Sequence, residues 1–101
     1  MVKTIMIVDD EESIRRLVSA TLGGDDRYRV VIAKGGEEAL ELARQEKPDL
    51  AFLDIRMPQM DGYSVCRALK ADPATAHINV VMLTALVEDY AMMSLAALAL
   101  F

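Results

Sequence analysis

Acidic side chains stand directly after two apolar stretches of the sequence. Asp9 and Asp10 follow the first stretch of the chain, and Asp54 follows a later one. If the fold brings these carboxylates together, their mutual repulsion disfavours ionisation unless a cation enters between them. Mg²⁺ or Mn²⁺ would suit such a site, because hard divalent cations prefer oxygen ligands. The sequence therefore predicts a metal site formed by these aspartates.

The same residues could carry out phosphoryl transfer to a carboxylate. An oxygen of Asp54 could attack the phosphorus of a phosphohistidine or a small acyl phosphate while Asp9 and Asp10 hold the metal. Thr84 follows another apolar stretch, and its hydroxyl could donate to the phosphoryl group, as could backbone N–H groups just after Asp54. Taken singly, each of these residues is more simply a helix cap or a turn residue. The prediction depends on their joint placement.

Apolar runs rich in β-branched residues alternate along the chain with segments of helical period. Strands are predicted at residues 5–8, 29–33, 50–53 and 79–83, and helices at 12–22, 37–45, 62–70 and from 87 onward. In the first helix, one apolar stripe contains Ile14, Leu17, Val18 and Leu22. The alternation predicts an α/β fold with a parallel sheet, in which each helix covers a sheet face.

The topology of such a sheet would assemble the candidate site. Parallel strands joined by right-handed crossovers place their carboxyl ends along one edge. In a doubly wound, flavodoxin-like sheet of order 2-1-3-4, strands one and three are neighbours where the winding reverses, which is the usual place for a ligand. We therefore expect Asp9, Asp10 and Asp54 to lie close together, with Thr84 on the same edge.

The composition limits the class of protein. A chain of 101 residues has the usual size of one domain, so we expect residues 1–101 to form a single domain. Its formal net charge of −5 disfavours direct binding of nucleic acid. No apolar run is long enough to span a bilayer, and Cys66 is the sole cysteine. We expect a cytoplasmic protein that does not enter membranes.

Three segments resemble, in order and spacing, the motifs of receiver domains from bacterial two-component response regulators. They are IVDDE at residues 7–11, PDLAFLDIRMPQMDG at 48–62 and VMLTA at 81–85. The resemblance implies phosphorelay signalling, in which a histidine kinase or a phosphotransfer protein donates a phosphoryl group in the presence of Mg²⁺. It also implies a phosphoacceptor domain with at most slow autodephosphorylation, and not an enzyme.

The resemblance assigns roles to individual positions as well. It implies that Asp54 is the phosphoacceptor and that the main-chain carbonyl of Arg56 joins the acidic pair in holding the metal. It further implies that Thr84 is the switch hydroxyl, hydrogen-bonded to the phosphoryl group, and that Ala85 is the small residue beside that group.

The resemblance extends over residues 1–90 and not over the apolar segment 91–101. Receiver domains normally add a fifth strand ending in Lys-Pro and a fifth helix, and no lysine or arginine follows Lys70 here. We expect these elements to be lacking and phosphorylation to be weak. Strand four would then be an open edge, so we hypothesise a homodimer, or an exchange of elements between protomers, through this edge and the apolar tail.

Other functions remain open. A receiver-like dimerisation or interaction module with impaired signalling would keep the fold, and its Mg²⁺ affinity would distinguish it from a phosphoacceptor. A metal-dependent aspartyl phosphatase is a more distant alternative. A nucleotide-binding or flavin-binding domain is disfavoured, because the acidic turn at residues 9–12 would repel phosphate.

Overall fold

Four strands and three helices alternate along the chain. The computed structural model describes residues 2–83. The strands are β1 Lys3–Val8, β2 Tyr28–Ala33, β3 Leu50–Asp54 and β4 Asn79–Leu83, and the helices are α1 Glu12–Gly23, α2 Gly36–Glu46 and α3 Gly62–Ala71. The predicted elements within this range are confirmed, and the largest difference is at β1, which begins at Lys3 instead of residue 5. The predictions about the helix from residue 87, the missing fifth strand and helix, and the tail 91–101 lie outside the described residues.

The strands form one parallel sheet with the order β2-β1-β3-β4. This order confirms the flavodoxin-like, doubly wound fold. The two central strands pair so that Val8 lies opposite Leu53, and β3 pairs with β4 so that Asp54 lies opposite Leu83. The carboxyl ends of β1, β3 and β4 therefore meet at the same edge of the sheet.

The central strands are apolar on both faces because helices cover both. Successive side chains of a strand point to opposite faces. Met6 and Val8 belong to the core beneath α2 and α3, while Ile5 and Ile7 belong to the core beneath α1. All four side chains are fully buried. Of the helices within residues 2–83, none has the length and apolar character that crossing a membrane would require.

One prediction about α1 is wrong. Ile14, Val18 and Leu22 are buried against the sheet, as expected, but Leu17 is 44% exposed. At 3.6 residues per turn, Leu17 lies about 100° around the helix from the centre of the buried stripe. The contact between α1 and the sheet is too narrow to include that side chain.

Candidate functional site

Three carboxylates converge at the carboxyl ends of the two central strands. Asp9 follows β1 directly, and Asp54 is the last residue of β3. One carboxylate oxygen from each of Asp9, Asp10 and Asp54 lies within 4.8 Å of the other two. The predicted proximity of these residues is therefore confirmed. It follows from the register that pairs Val8 with Leu53, which places Asp9 beside Asp54.

Hydrogen bonds with the backbone hold Asp9 and Asp54 in place. Asp9 is only 3% exposed, and its Oδ1 accepts from the Glu11 N–H at 2.9 Å. The Asp9 N–H continues the β1–β2 ladder by donating to the Ala33 carbonyl at 3.2 Å. Asp54 Oδ1 accepts from the Arg56 N–H at 3.1 Å. These hydrogen bonds partly fix the side-chain orientations of Asp9 and Asp54.

The surroundings make ionisation of the cluster unfavourable. Burial is the main reason that the pKa of Asp9 rises to about 7, and the neighbouring charge of Asp54 raises it further, against the opposing effect of the Glu11 N–H. Burial is also the main cause of the raised pKa of Asp54. A hard cation would relieve this cost, and a donor set made only of carboxylates suits Mg²⁺ or Mn²⁺. The residues therefore fit the predicted metal.

The start of α3 packs against the backbone at the end of β3, next to Asp54. The Gly62 N–H donates to the Ile55 carbonyl at 3.0 Å, and Asp61 caps α3 by accepting from the Ser64 N–H at 2.7 Å. A Cβ atom at position 62 would lie 2.3 Å from the Asp54 carbonyl oxygen. Sequence reasoning placed Asp61 and Gly62 only within the motif at residues 48–62 and at the start of a helix. The spacing of eight residues between Asp54 and Gly62 does not by itself reveal this contact.

A second contact that the sequence reasoning missed comes from α1. Arg15 Nη1 donates to the main-chain carbonyl of Asp9 at 2.8 Å. One signal for it was present in the sequence, because a cation near the start of a helix opposes the helix dipole and so suggests a compensating acceptor. The contact joins α1 to the acidic cluster.

The remaining predicted site residues are placed as follows. Arg56 lies in the loop after Asp54, where its N–H makes the hydrogen bond to that carboxylate. The role of the Arg56 carbonyl as a metal ligand stays a prediction. Thr84 and Ala85 lie outside the described residues, directly after the last residue of β4.

The fold and the site define a class of protein. The chain belongs to the family of response regulator receiver domains, whose family model matches residues 5–99. It is thus a receiver domain of the kind found in two-component signalling.

Individual relatives agree with this assignment. Response regulator PleD of Caulobacter vibrioides is 49% identical over 82 residues, which cover 81% of this chain and 18% of PleD. The "Probable transcriptional regulator ycf27" of Guillardia theta is 48% identical over 82 residues, covering 81% of this chain and 31% of that protein. The N-terminal domain of a response regulator receiver protein from Methanoculleus marisnigri has a TM-score of 0.77 at 41% identity, over 92% of this chain and 76% of that one.

The chain spans less than a third of the length of these two sequence relatives. The similarity therefore concerns the receiver domain and not the other parts of those proteins.

Proposed function

We propose that this domain accepts a phosphoryl group on Asp54 in a Mg²⁺-dependent reaction, with a histidine kinase or a phosphotransfer protein as the donor. The observation that carries the proposal is the convergence of three carboxylate oxygens within 4.8 Å at the ends of β1 and β3. Burial and like charge make such a cluster costly, so a function that uses it explains its presence better than a structural role does.

In the proposed reaction, an oxygen of Asp54 forms a bond to phosphorus while the bond between phosphorus and the donor imidazole nitrogen breaks. The imidazole nitrogen leaves with the bonding electron pair. Because Asp54 Oδ1 accepts from the Arg56 N–H, Oδ2 is the oxygen that we assign to the attack. Thr84 would donate its hydroxyl to the phosphoryl group, and the small side chain of Ala85 would leave room for it.

Asp9, Asp10, Asp54 and the Arg56 carbonyl would hold the cation. A bound Mg²⁺ would offset part of the negative charge of the carboxylates and of the phosphoryl oxygens. The Glu11 N–H keeps Asp9 Oδ1 in a fixed direction, which prepares one ligand before the cation binds. We propose that the product serves as a signal that is hydrolysed slowly and that the domain is not an enzyme acting on a separate substrate. A cytoplasmic location belongs to the same proposal, since histidine kinases use ATP.

The proposal is tested by incubating the protein with Mg²⁺ and acetyl phosphate or phosphoramidate and measuring its intact mass. We expect a gain of one phosphoryl mass that EDTA prevents and that Asp54→Asn abolishes. Asp26→Asn is the matched control, because it removes an exposed aspartate that lies outside the cluster.

Two results would count against the proposal in different ways. A wild-type protein that binds Mg²⁺ but gains no phosphoryl mass from either donor would support the alternative of an interaction module with impaired signalling. Equal labelling of wild type and Asp54→Asn would show that the phosphoacceptor is a different residue.

A further inference from the structure

We infer that Arg15 is a positioning residue for the acidic cluster and acts through the hydrogen bond from its guanidinium to the Asp9 carbonyl. The inference deepens the proposed function and rests on it, because it concerns how the cation ligands are held. The Nη1–O distance is 2.8 Å, and the contact is partly buried. Arg15 belongs to α1, so the contact joins a helix to the loop that carries two of the three carboxylates.

The place of Arg15 on the helix indicates that the contact is specific. A cation near the amino end of a helix is disfavoured by the helix dipole. Its neighbour Arg16 offsets that cost with an exposed ion pair to Glu12 at 2.9 Å. None of the ion pairs found among residues 2–83 involves Arg15, and its side chain donates to the Asp9 carbonyl instead.

The hydrogen bond fixes the peptide between Asp9 and Asp10. Asp9 is already held at its N–H by Ala33 and at its side chain by the Glu11 N–H. With the Arg15 contact, its carbonyl is held as well. Because that carbonyl belongs to the peptide leading into Asp10, its orientation restricts where the Asp10 Cα lies and hence the directions that the Asp10 side chain can take. Outer contacts of this kind commonly orient the ligands of a metal.

Positioning and charge have opposite consequences for cation binding. If Arg15 acted only as a nearby positive charge, its removal would strengthen Mg²⁺ binding by reducing repulsion. If it positions Asp9 and Asp10, its removal weakens binding although a positive charge has been lost. The sign of the change in Mg²⁺ affinity therefore separates the two roles.

The test compares Arg15→Met with Arg16→Met by calorimetric titration with Mg²⁺. Both substitutions remove one positive charge from α1 and keep much of the apolar stem, but only the first removes the contact with Asp9. We expect Arg15→Met to weaken Mg²⁺ binding roughly tenfold. Arg16→Met should leave the affinity unchanged or slightly higher, and Arg15→Lys, which can still donate, should recover part of the loss. Wild-type or tighter Mg²⁺ binding by Arg15→Met would overturn the inference.

If the wild-type protein does not bind Mg²⁺, the proposed function is excluded. A second measurement then tests the positioning role of Arg15 on its own. Amide exchange by NMR in metal-free protein then reports on the loop directly. We expect the Glu11 N–H to exchange faster in Arg15→Met than in Arg16→Met, while the amides of β3 exchange equally in both. Equal exchange of the Glu11 N–H in the two variants would exclude a positioning role.

Discussion

Asp9 is an ionisable side chain in a place that disfavours its charge. It is 3% exposed, and Asp54 and Asp10 lie close to it. The fold nevertheless keeps Asp9 beside Asp54, because the pairing of β1 with β3 fixes the backbone at both residues. A cation would offset the cost, and the protein without one should be less stable than its packing permits.

The first prediction at the residue scale concerns Asp9→Asn in the absence of divalent cations. The pKa of Asp9 is about 7 in the folded protein against 3.8 as its ordinary value. The folded state therefore holds the proton more tightly, and stability falls as pH rises between these two values. Because each unit between the two pKa values corresponds to about 1.4 kcal/mol, we expect the free energy of unfolding of Asp9→Asn to be higher by about 4 kcal/mol at about pH 8.

The gain should shrink as pH falls toward the ordinary pKa of aspartate, because wild-type Asp9 then becomes protonated in the unfolded state as well as in the folded state. Chemical denaturation in EDTA, followed by circular dichroism at about pH 8 and about pH 5, measures both effects. Asp26→Asn serves as the exposed control. An Asp9→Asn variant that is less stable than wild type at the higher pH would contradict the electrostatic explanation.

At this scale, the sequence predicted which carboxylates meet but not what holds them. Asp9, Asp10 and Asp54 could be identified because each stands at a strand end, and strand ends follow from hydrophobic patterning. The contacts made by Arg15 and Gly62 depend on a rotamer and on the path of a loop. Neither is specified by the residue types alone.

At the scale of elements, the site depends on how closely α3 approaches the end of β3. Gly62 is the first residue of α3, and its N–H donates to the Ile55 carbonyl. Its missing side chain lets the helix begin against the backbone of Asp54, since a Cβ would come within 2.3 Å of the carbonyl oxygen. Backbone atoms at a strand end cannot move as easily as a flexible side chain.

We therefore expect Gly62→Ala to destabilise the protein by about 1–3 kcal/mol through overpacking. Gly36→Ala should cost less, because its Cβ would meet side-chain atoms of Met60 at 2.8 Å and not a backbone oxygen at 2.3 Å. Gly23→Ala should be neutral or stabilising, since nothing lies within 4 Å. Denaturation of the three variants measures the order. A Gly62→Ala protein as stable as Gly23→Ala would show that the close approach of α3 is not required.

The elements themselves were largely predictable. The strands and helices within residues 2–83 have the predicted order, because alternation of apolar runs and helical periods marks them clearly. The exposed Leu17 was not predicted, because the sequence shows which residues of a helix are apolar but not how wide its contact with the sheet is.

At the scale of the whole molecule, the parallel sheet is the feature that turns separated residues into a site. Asp9 and Asp54 are 45 positions apart in the sequence, and they come together because the connection from β2 to β3 crosses over β1 and places β3 beside it. The same arrangement explains the hydrophobic content of 53%, because the central strands are buried on both faces. The order of the strands could be predicted from general rules of connection, whereas association through the strand-four edge stays a hypothesis.

The central claim is that Asp9, Asp10 and Asp54 bind one hard cation at the end of β1 and β3. The most direct measurement is anomalous X-ray scattering from crystals soaked in Mn²⁺, which replaces Mg²⁺ and can be located by its signal. We predict a single strong peak in contact with oxygen atoms of all three carboxylates and of the Arg56 carbonyl. A peak that contacts none of the three carboxylates, or no peak at a Mn²⁺ concentration in the millimolar range, would contradict the claim.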